Sequence, residues 1–301
     1  MNFFVRKYYQ LLSKYYKRKA NKHVEFLKAK YYLKNKKPLN LENPTDFSEK
    51  IHWLKLYDYD ESYKKYIDKY EVREHIESTI GAKYLNELID VYDNVEDIDF
   101  DSLPQKFVLK GTHGSGYNVI VKDKSALDWP KAKQKLQQFL STNYYEKYKE
   151  TVYKSITPRI VAEKYLDQLD SDHIIDYKFM CFHGEPHYIH VKTYEDDRIK
   201  EAYYDMNWQK QIPETIGENH LKQDIPKPVT FDEMRDIAIR LSKGFTFVRV
   251  DLYEIGDNVY FGELTFIHKG GMIRNYVEPL NKIMGDLIHL PKEKKNLHSI
   301  A

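Results

Sequence analysis

Two short segments restrict most sharply what this chain can fold into: Arg249-Val250-Asp251 and, twelve residues after the aspartate, Glu263-Leu264-Thr265, with Gly270 and Gly271 close behind. They read as adjacent strands, 245–255 and 258–266, joined by a turn at Gly256-Asp257. Side chains alternate across a strand, so Arg249 and Asp251 share one face, and Glu263 and Thr265 share one face of the neighbour. Two carboxylates and a guanidinium should therefore converge. Carboxylates a few ångströms apart repel unless a hard cation lies between them, and Mg²⁺ with nucleotide phosphates is the usual occupant, which points to nucleotide chemistry. The plain alternative is a solvated charged hairpin with Arg249 in a cross-strand ion pair. The rest of the chain decides between them.

At 301 residues the chain can bury a full core, expected as one catalytic unit of two or three lobes. No stretch has the apolar length of a membrane span, and the first nine residues lack the apolar core of a signal peptide, so the protein is expected in the cytoplasm. The one cysteine, Cys181, lies in the apolar run Phe179-Met180-Cys181-Phe182, which excludes an internal disulfide and reads as a buried, inert thiol. Residues 1–37 hold twelve Lys or Arg against one acid, Glu25, so this segment carries +11 and the remainder −9 within a total of +2. In it Phe4, Tyr8, Leu11, Leu12 and Tyr15 recur at helical spacing beside Lys14, Lys17, Arg18 and Lys19. Such a helix either lies on anionic lipid or another polyanion at the inner face of a membrane, or packs on the main body through its aromatic stripe. Nucleic acid is the less expected partner.

Helical periodicity covers the first ninety or so residues, with segments at 6–19, 24–33, 46–56 and 61–80, punctuated by Pro38 and Pro44. After Pro104 short apolar runs take over. Strands are expected at 107–110 and 118–121 around a glycine loop, then a helix at 129–141, then strands near 160–165, 175–182, 187–191 and 201–204. Thr230 and Glu233 have the spacing of a capping box ahead of a helix reaching Lys243. The class is α+β, divided into a basic helical segment 1–60 and a catalytic domain 61–301, with lobes 61–158 and 159–301. There is no internal repeat.

Lys110 ends a strand and is followed at once by Gly111-Thr112-His113-Gly114-Ser115-Gly116, which sets an ammonium beside backbone amides able to approach an anion closely. The lysine precedes the glycines, so this is not a P-loop; the alternative is a hairpin turn needing positive φ. Farther on, Ile160-Val161-Ala162-Glu163-Lys164-Tyr165-Leu166 is an apolar strand carrying a carboxylate and a lysine. After a polar loop, 167–173, comes a strand with Asp176 and Lys178 on one face. Such a strand end can hold an adenine amino group and a ribose, or make a surface ion pair worth under about 1 kcal/mol.

Lysine with glycine loop, then Glu-Lys-Tyr-Leu, then Arg-x-Asp, then Glu-x-Thr occur in the order and spacing of the ATP-grasp enzymes. From about residue 66 to 275 the chain resembles that superfamily, with Asp68-Lys69 similar to its entry motif. Phe107-Val108-Leu109-Lys110, His113-Gly114-Ser115-Gly116, Asp176-Tyr177-Lys178-Phe179, Arg249-Val250-Asp251-Leu252-Tyr253 and Phe261-Gly262-Glu263-Leu264-Thr265 resemble its TupA-like branch, associated with teichuronopeptide and capsular polysaccharide biosynthesis in bacteria.

The resemblance implies an ATP-grasp fold with two α+β lobes sandwiching ATP. It implies that Lys69 and Lys110 contact phosphates under Gly111, His113, Gly114, Ser115 and Gly116. Glu163, Lys164, Tyr165 and Leu166 would hold adenine, Asp176 ribose, and Lys178 would reach toward the phosphates. Asp251 and Glu263 would ligate Mg²⁺. Thr265 stands in a third-ligand position where many relatives carry asparagine. Arg249 matches the arginine that D-alanine:D-alanine ligases use on their reacting acyl group, giving Arg249, Lys110 and Lys178 the catalytic roles. The implied reaction is ATP-dependent amide formation through an acylphosphate, joining an amine such as an amino acid to a uronic acid or similar carboxylate. No side-chain nucleophile is required, in keeping with the lack of a Ser-His-Asp or Cys-His pattern. Three other readings stand beside it: a phosphotransferase on the same fold, a glycosyltransferase using Asp58-Tyr59-Asp60, and a noncatalytic binder of anionic surfaces.

Overall fold

The computed structural model describes residues 2–19, 22–166, 175–196, 198–211, 219–272 and 278–295. Three helices come first: α1 (Phe3–Lys17), α2 (His23–Asn35) and α3 (Phe47–Tyr57). Asp46 caps α3 by accepting from the Glu49 amide, while Glu49 reaches back to the Thr45 amide. Both orphan donors are thus satisfied. The helix is buried on nearly all sides, through Phe47, Ile51 and Leu54 but also through His52 and Lys55. A core position for a lysine is uncommon.

The expected helix at 61–80 is broken in two. After a short α4 (Lys64–Ile67), Asp68 turns extended and its carboxylate accepts from the Tyr70 and Glu71 amides, so the chain restarts as α5 (Val72–Thr79). An aspartate that bonds its own following backbone competes with a continuing helix. Lys69 sits in the break, its amide donating to the Thr112 carbonyl.

A strand follows where helical periodicity was expected to run on: β1 (Leu88–Tyr92). Next come β2 (Phe107–Gly111), β3 (Asn118–Val121), α6 (Trp129–Ser141), α7 (Tyr144–Tyr148) and β4 (Ile160–Lys164). These strands form an antiparallel sheet in the order β1-β4-β2-β3, with Ala132, Leu136 and Phe139 of α6 in its core. Because β4 pairs with β1 and β2, the lobe boundary expected at 158/159 cuts off a strand that belongs to the first sheet.

The second sheet holds β5 (Asp176–Phe182), β6 (Glu185–Glu195), β7 (Arg198–Asp205), β8 (Lys210–Gln211), β9 (Phe247–Ile255) and β10 (Asn258–Thr265), in the order β10-β9-β5-β6-β7-β8. Strands β6 and β7 run longer than their apolar runs, because hairpin pairing continues through Thr193–Lys200 and Glu195–Arg198. Helix α8 (Phe231–Ser242) packs against this sheet, with Phe231 near Phe179 and the Cys181 thiol toward the Ala238 carbonyl. Its N-terminus is not the expected capping box. Thr230 donates its hydroxyl to Glu254, and Glu233 accepts from the Tyr84 hydroxyl. Burial raises the Cys181 thiol far above its ordinary range, as an inert cysteine requires.

Segment 1–60 is not set apart from the rest. Phe26, Leu27, Tyr31, Phe47, Ile51 and Leu54 share one core with the second sheet, α8 and α9 (Glu278–Asp286). Phe47 sits against both Phe247 and Phe182. Helix α1 has no buried residue and meets this core through the partly buried Tyr16.

Candidate active site

Alternation along β9 puts Val248, Val250 and Leu252 on one side of the sheet and Phe247, Arg249 and Asp251 on the other. The second face is covered by α3 at the Phe47 end and opens beyond it onto a cleft against the four-stranded sheet. In register, Glu263 stands opposite Asp251 and Thr265 opposite Arg249, so the expected convergence is present. It depends on a bulge at Gly262, where a Cβ would come within 3.0 Å of the Asp251 carbonyl oxygen.

Arg249 binds Asp251 with two nitrogens, Nε to Oδ1 at 2.6 Å and Nη2 to Oδ2 at 2.7 Å, and also gives Nη2 to Glu263 Oε1 at 2.6 Å. Its Nη1 lies 3.0 Å from Nδ1 of the buried His268. A guanidinium has no acceptor, so that imidazole nitrogen accepts and His268 is neutral, consistent with burial holding its pKa well below the usual range. Lys178, paired in the sheet with Asp251, donates to Asp251 Oδ2 at 2.6 Å and lies 3.3 Å from Asp176. Burial pushes the Asp251 carboxyl up, against the pull of Arg249 and Lys178. Burial acts on Glu263 in the same sense, yet Arg249, Lys69 and Lys178 hold it down to about 2.

Across the cleft Lys110 donates to Glu163 Oε2 at 2.6 Å, and Arg73 lies 3.8 Å from the same carboxylate. Burial works to raise Glu163, but Lys110 and Arg73 prevail and keep it ionised. Asn86 holds the Lys164 carbonyl at 2.8 Å. Lys69 donates to the Gly114 carbonyl at 2.6 Å, tying the break between α4 and α5 to the glycine loop. Gly116 has φ +75°, which the hairpin return needs and other residues adopt at a cost.

The cleft encloses about 290 Å³ and brings together Lys69, Lys110, Ser115, Gly116, Glu163, Leu166, Asp176, Lys178, Asp251 and Glu263. A second hollow opens from it past Tyr165, Leu166, Val108 and Ile120, sharing Lys110, Asp176 and Lys192. Other expected residues lie elsewhere. The His113 ring is turned into the first lobe, where its Nε2 meets the Phe139 carbonyl at 2.9 Å, so only its backbone faces the loop. Gly111 and Gly114 pack on Tyr117. Lys164 by contrast lines the second hollow, where it is exposed and pairs with Glu87. The Thr265 hydroxyl donates to Glu263 Oε1 at 2.9 Å, and its side chain, like that of Glu263, lines a second cavity that Arg249 also lines. The loop 167–173 lies outside the described residues.

Arg73, Asn86, Lys192 and Tyr253 also line the cleft; of these Tyr253 stood in a motif read from the sequence, and there without a site role. Arg73 carried a signal, one helical turn beyond Lys69; Lys192 becomes visible only once β6 is known to run to Glu195. Asp58-Tyr59-Asp60 serves structure, with Asp58 paired to Lys295 at 2.8 Å and Asp60 capping Ser62. Among the described residues no group of three or more His, Cys, Asp or Glu could hold a metal by itself. Two carboxylates on paired strands nevertheless suit Mg²⁺, which takes one or two carboxylates and completes its shell with phosphate oxygens and water.

Comparison with known proteins agrees with this arrangement. The TupA-like ATPgrasp family model matches residues 49–289. A comparison with curated proteins finds no match. Among solved structures the chain is similar to D-alanine–D-alanine ligase from Bacillus anthracis complexed with ATP, at 15% identity over 74% of this chain and 66% of that one, TM-score 0.42. It is similar to the ATP-grasp ligase PsnB with a phosphomimetic variant of its minimal precursor, Mg and ADP, at 12% identity over 75% and 59%, TM-score 0.42. A third is N5-carboxyaminoimidazole synthase from Aspergillus clavatus with ADP and 5-aminoimidazole ribonucleotide, at 12% identity over 77% and 54%, TM-score 0.41. The chain therefore spans less than two-thirds of each of these proteins. With the family model covering most of its length, the chain belongs to the TupA-like ATP-grasp family.

Proposed function

We propose that the protein is an ATP-dependent carboxylate–amine ligase that joins an amino acid or similar amine to a uronic acid or related carboxylate in bacterial cell-surface polysaccharide biosynthesis. The observation that carries the ligase reading is the position of Arg249. It lines a second cavity while binding Asp251 and Glu263 of the cation-rich cleft, and Glu263 and Ser115 line both cavities. Adenosine would lie in the hollow at Tyr165 and Leu166, with Asp176 on the ribose and Glu163 toward the adenine. Lys69, Lys110 and Lys178 would grip the phosphates, and the backbone of the glycine loop would cover them. Asp251 and Glu263 would hold Mg²⁺, which when bound offsets charge on the transferring phosphoryl group.

In the first step a substrate carboxylate oxygen bonds to the γ-phosphorus as the bond to ADP breaks. In the second, the amine attacks the acyl carbon, loses a proton, and orthophosphate departs. Arg249 would stabilise the oxyanion of that second step; the bonds that orient its guanidinium to Asp251 and His268 support this reading. ADP and orthophosphate release, measured with Mg-ATP, uronic acids, amino acids and hydroxylamine, tests the reading. Release of both products with a trapped hydroxamate is expected. ADP without orthophosphate would identify a phosphotransferase instead.

Attachment to an anionic membrane is proposed for α1. One face, Val5, Tyr9, Leu12 and Tyr16, turns toward α2, with Tyr9 stacked on Tyr32 at 3.9 Å. A second stripe, Phe4, Tyr8, Leu11 and Tyr15, is exposed, with Phe4 76% accessible, beside Arg6, Lys7 and Lys14. No helix among the described residues is long and apolar enough to span a membrane. Co-sedimentation of the full chain with vesicles containing anionic lipid, lost on Phe4→Ser with Leu11→Ser, is the expected result; equal sedimentation of both proteins would overturn it.

A further inference from the structure

The cavity beyond Arg249 has a volume of about 480 Å³ and is walled by α2, α3 and the segment around Glu150. Its chemistry differs from that of the cleft in one respect. Lys55, on the core helix α3, is 2% exposed and lines the cavity, yet its ammonium makes no hydrogen bond or ion pair within 4 Å among the described residues. Glu150, 8% exposed, faces the same space and is likewise without a close partner there. The two act on each other only at longer range, and burial pulls the Lys55 ammonium down while pushing the Glu150 carboxyl up. Lys30 adds a second positive charge to the wall, whereas Lys269 is taken up by Glu201 at 2.6 Å.

A buried ammonium without a partner is costly, and a methionine would fill the same volume without that cost. A charge kept in such a place, aimed into a cavity that abuts the reacting groups, suits a negatively charged ligand group. We propose that Lys55, assisted by Lys30, holds an anionic group of the acceptor substrate, a carboxylate or a phosphate separate from the reacting carboxylate, so that the enzyme selects acidic substrates. The ligand then completes the pairing that the protein leaves open. Glu150, across the cavity, keeps the empty site from accumulating two uncompensated charges. The assignment rests on the ligase reading for the statement that this cavity is the acceptor side; the anion site itself stands on Lys55 and its surroundings.

Direct binding separates the two. Calorimetric titrations of the full-length protein with glucuronate, glutamate and inorganic phosphate, each in the presence of Mg-ADP, are compared with titrations of the Lys55→Met and Lys30→Gln variants, with Mg-ADP affinity measured in parallel. The expected result is binding of at least one anion by the natural protein, weakened about 10- to 100-fold in Lys55→Met, less in Lys30→Gln, and restored in part by Lys55→Arg, with Mg-ADP affinity unchanged. Carboxylate probes binding without phosphate would assign the group as a carboxylate, and the reverse as a phosphate. Equal binding by Lys55→Met, or no binding of any probe by the natural protein, overturns the proposal. Loss of Mg-ADP binding by the natural protein would instead overturn the nucleotide cleft and leave the anion result to stand by itself.

Discussion

The two cavities that meet at Ser115 and Glu263 treat charge in opposite ways. In the cleft the carboxylates are already paired with cations: Glu163 with Lys110, Asp251 with Lys178 and Arg249, and Glu263 with Arg249. In the neighbouring cavity Lys55 and Glu150 are just as buried and are held apart. Paired charges hold their geometry before any ligand arrives, which favours a site that must bind a highly charged nucleotide repeatedly in one orientation. Unpaired charges leave part of the electrostatic stabilisation to the ligand, which favours discrimination: a neutral molecule entering that cavity would leave Lys55 buried and uncompensated.

Removing a carboxylate from the paired side should have the largest effect. Glu263→Gln and Asp251→Asn are expected to lower kcat by on the order of 10²- to 10³-fold in an assay of ADP release. Asp251→Asn should also lose about 3–5 kcal/mol of stability in urea unfolding, because Arg249 and Lys178 would lose a buried partner. Glu263, whose side chain is more open, should lose activity with a smaller stability change. Undiminished ADP release by both variants would remove the metal-binding role from this pair.

A crossed comparison sharpens the contrast. Lys110→Gln is expected to raise the KM for ATP about tenfold, with little change in the KM for the acceptor, and Lys55→Met to do the reverse. If both variants moved both constants together, the two cavities would be one functional unit.

Between pH 7 and 4.5 acid should weaken the fold through buried histidines, whereas Glu263, held down to about 2, adds to the loss only at lower pH. Burial, with Lys55 adding to it, lowers His23 to about 4, and burial with Lys55 again lowers His52 to about 3. Each is neutral when folded and takes up a proton near pH 6.5 when unfolded. Their contribution is therefore whole above about pH 6.5 and is lost as pH falls toward 4, at up to about 1.4 kcal/mol per pH unit for each group. Denaturant midpoints measured from pH 7 to pH 4.5 should fall accordingly; a shallower profile for His52→Gln than for the natural protein is expected, and an unchanged slope would remove that ring from the account. The smallest effect is expected at α1, where Tyr8→Ser or Leu11→Ser should change unfolding free energy by no more than about 0.5 kcal/mol, because both side chains are exposed.

Much of the site was legible in the chain because strand alternation is a local rule. Arg249, Asp251 and Glu263 could be brought to one face from spacing and one turn, and the register is as expected. Asp176 and Lys178 followed from the same rule, and Lys110 from the glycine loop directly after it. What local periodicity missed were features made by partners distant in sequence. Strand β1 exists through its pairing with β4, some seventy residues on, and β4 closes the first sheet rather than opening the second. The helix expected at 61–80 is broken by a side chain that bonds its own backbone, and the Thr230 hydroxyl is taken by Glu254 instead of by its helix. His113 looked like part of an anion loop because of its glycine neighbours, but a carbonyl on α6 turns its ring away.

The sequence by itself determined the α+β class, the order of the nucleotide-binding motifs and the carboxylate hairpin, because each depends on neighbours a few residues away. Only the tertiary structure decided that Lys55 is a core residue facing an empty polar space, and that α1 shows one aromatic stripe while packing another. Whether a lysine is buried, or a tyrosine exposed, is settled by what distant segments place against it, and no periodicity along the chain records that.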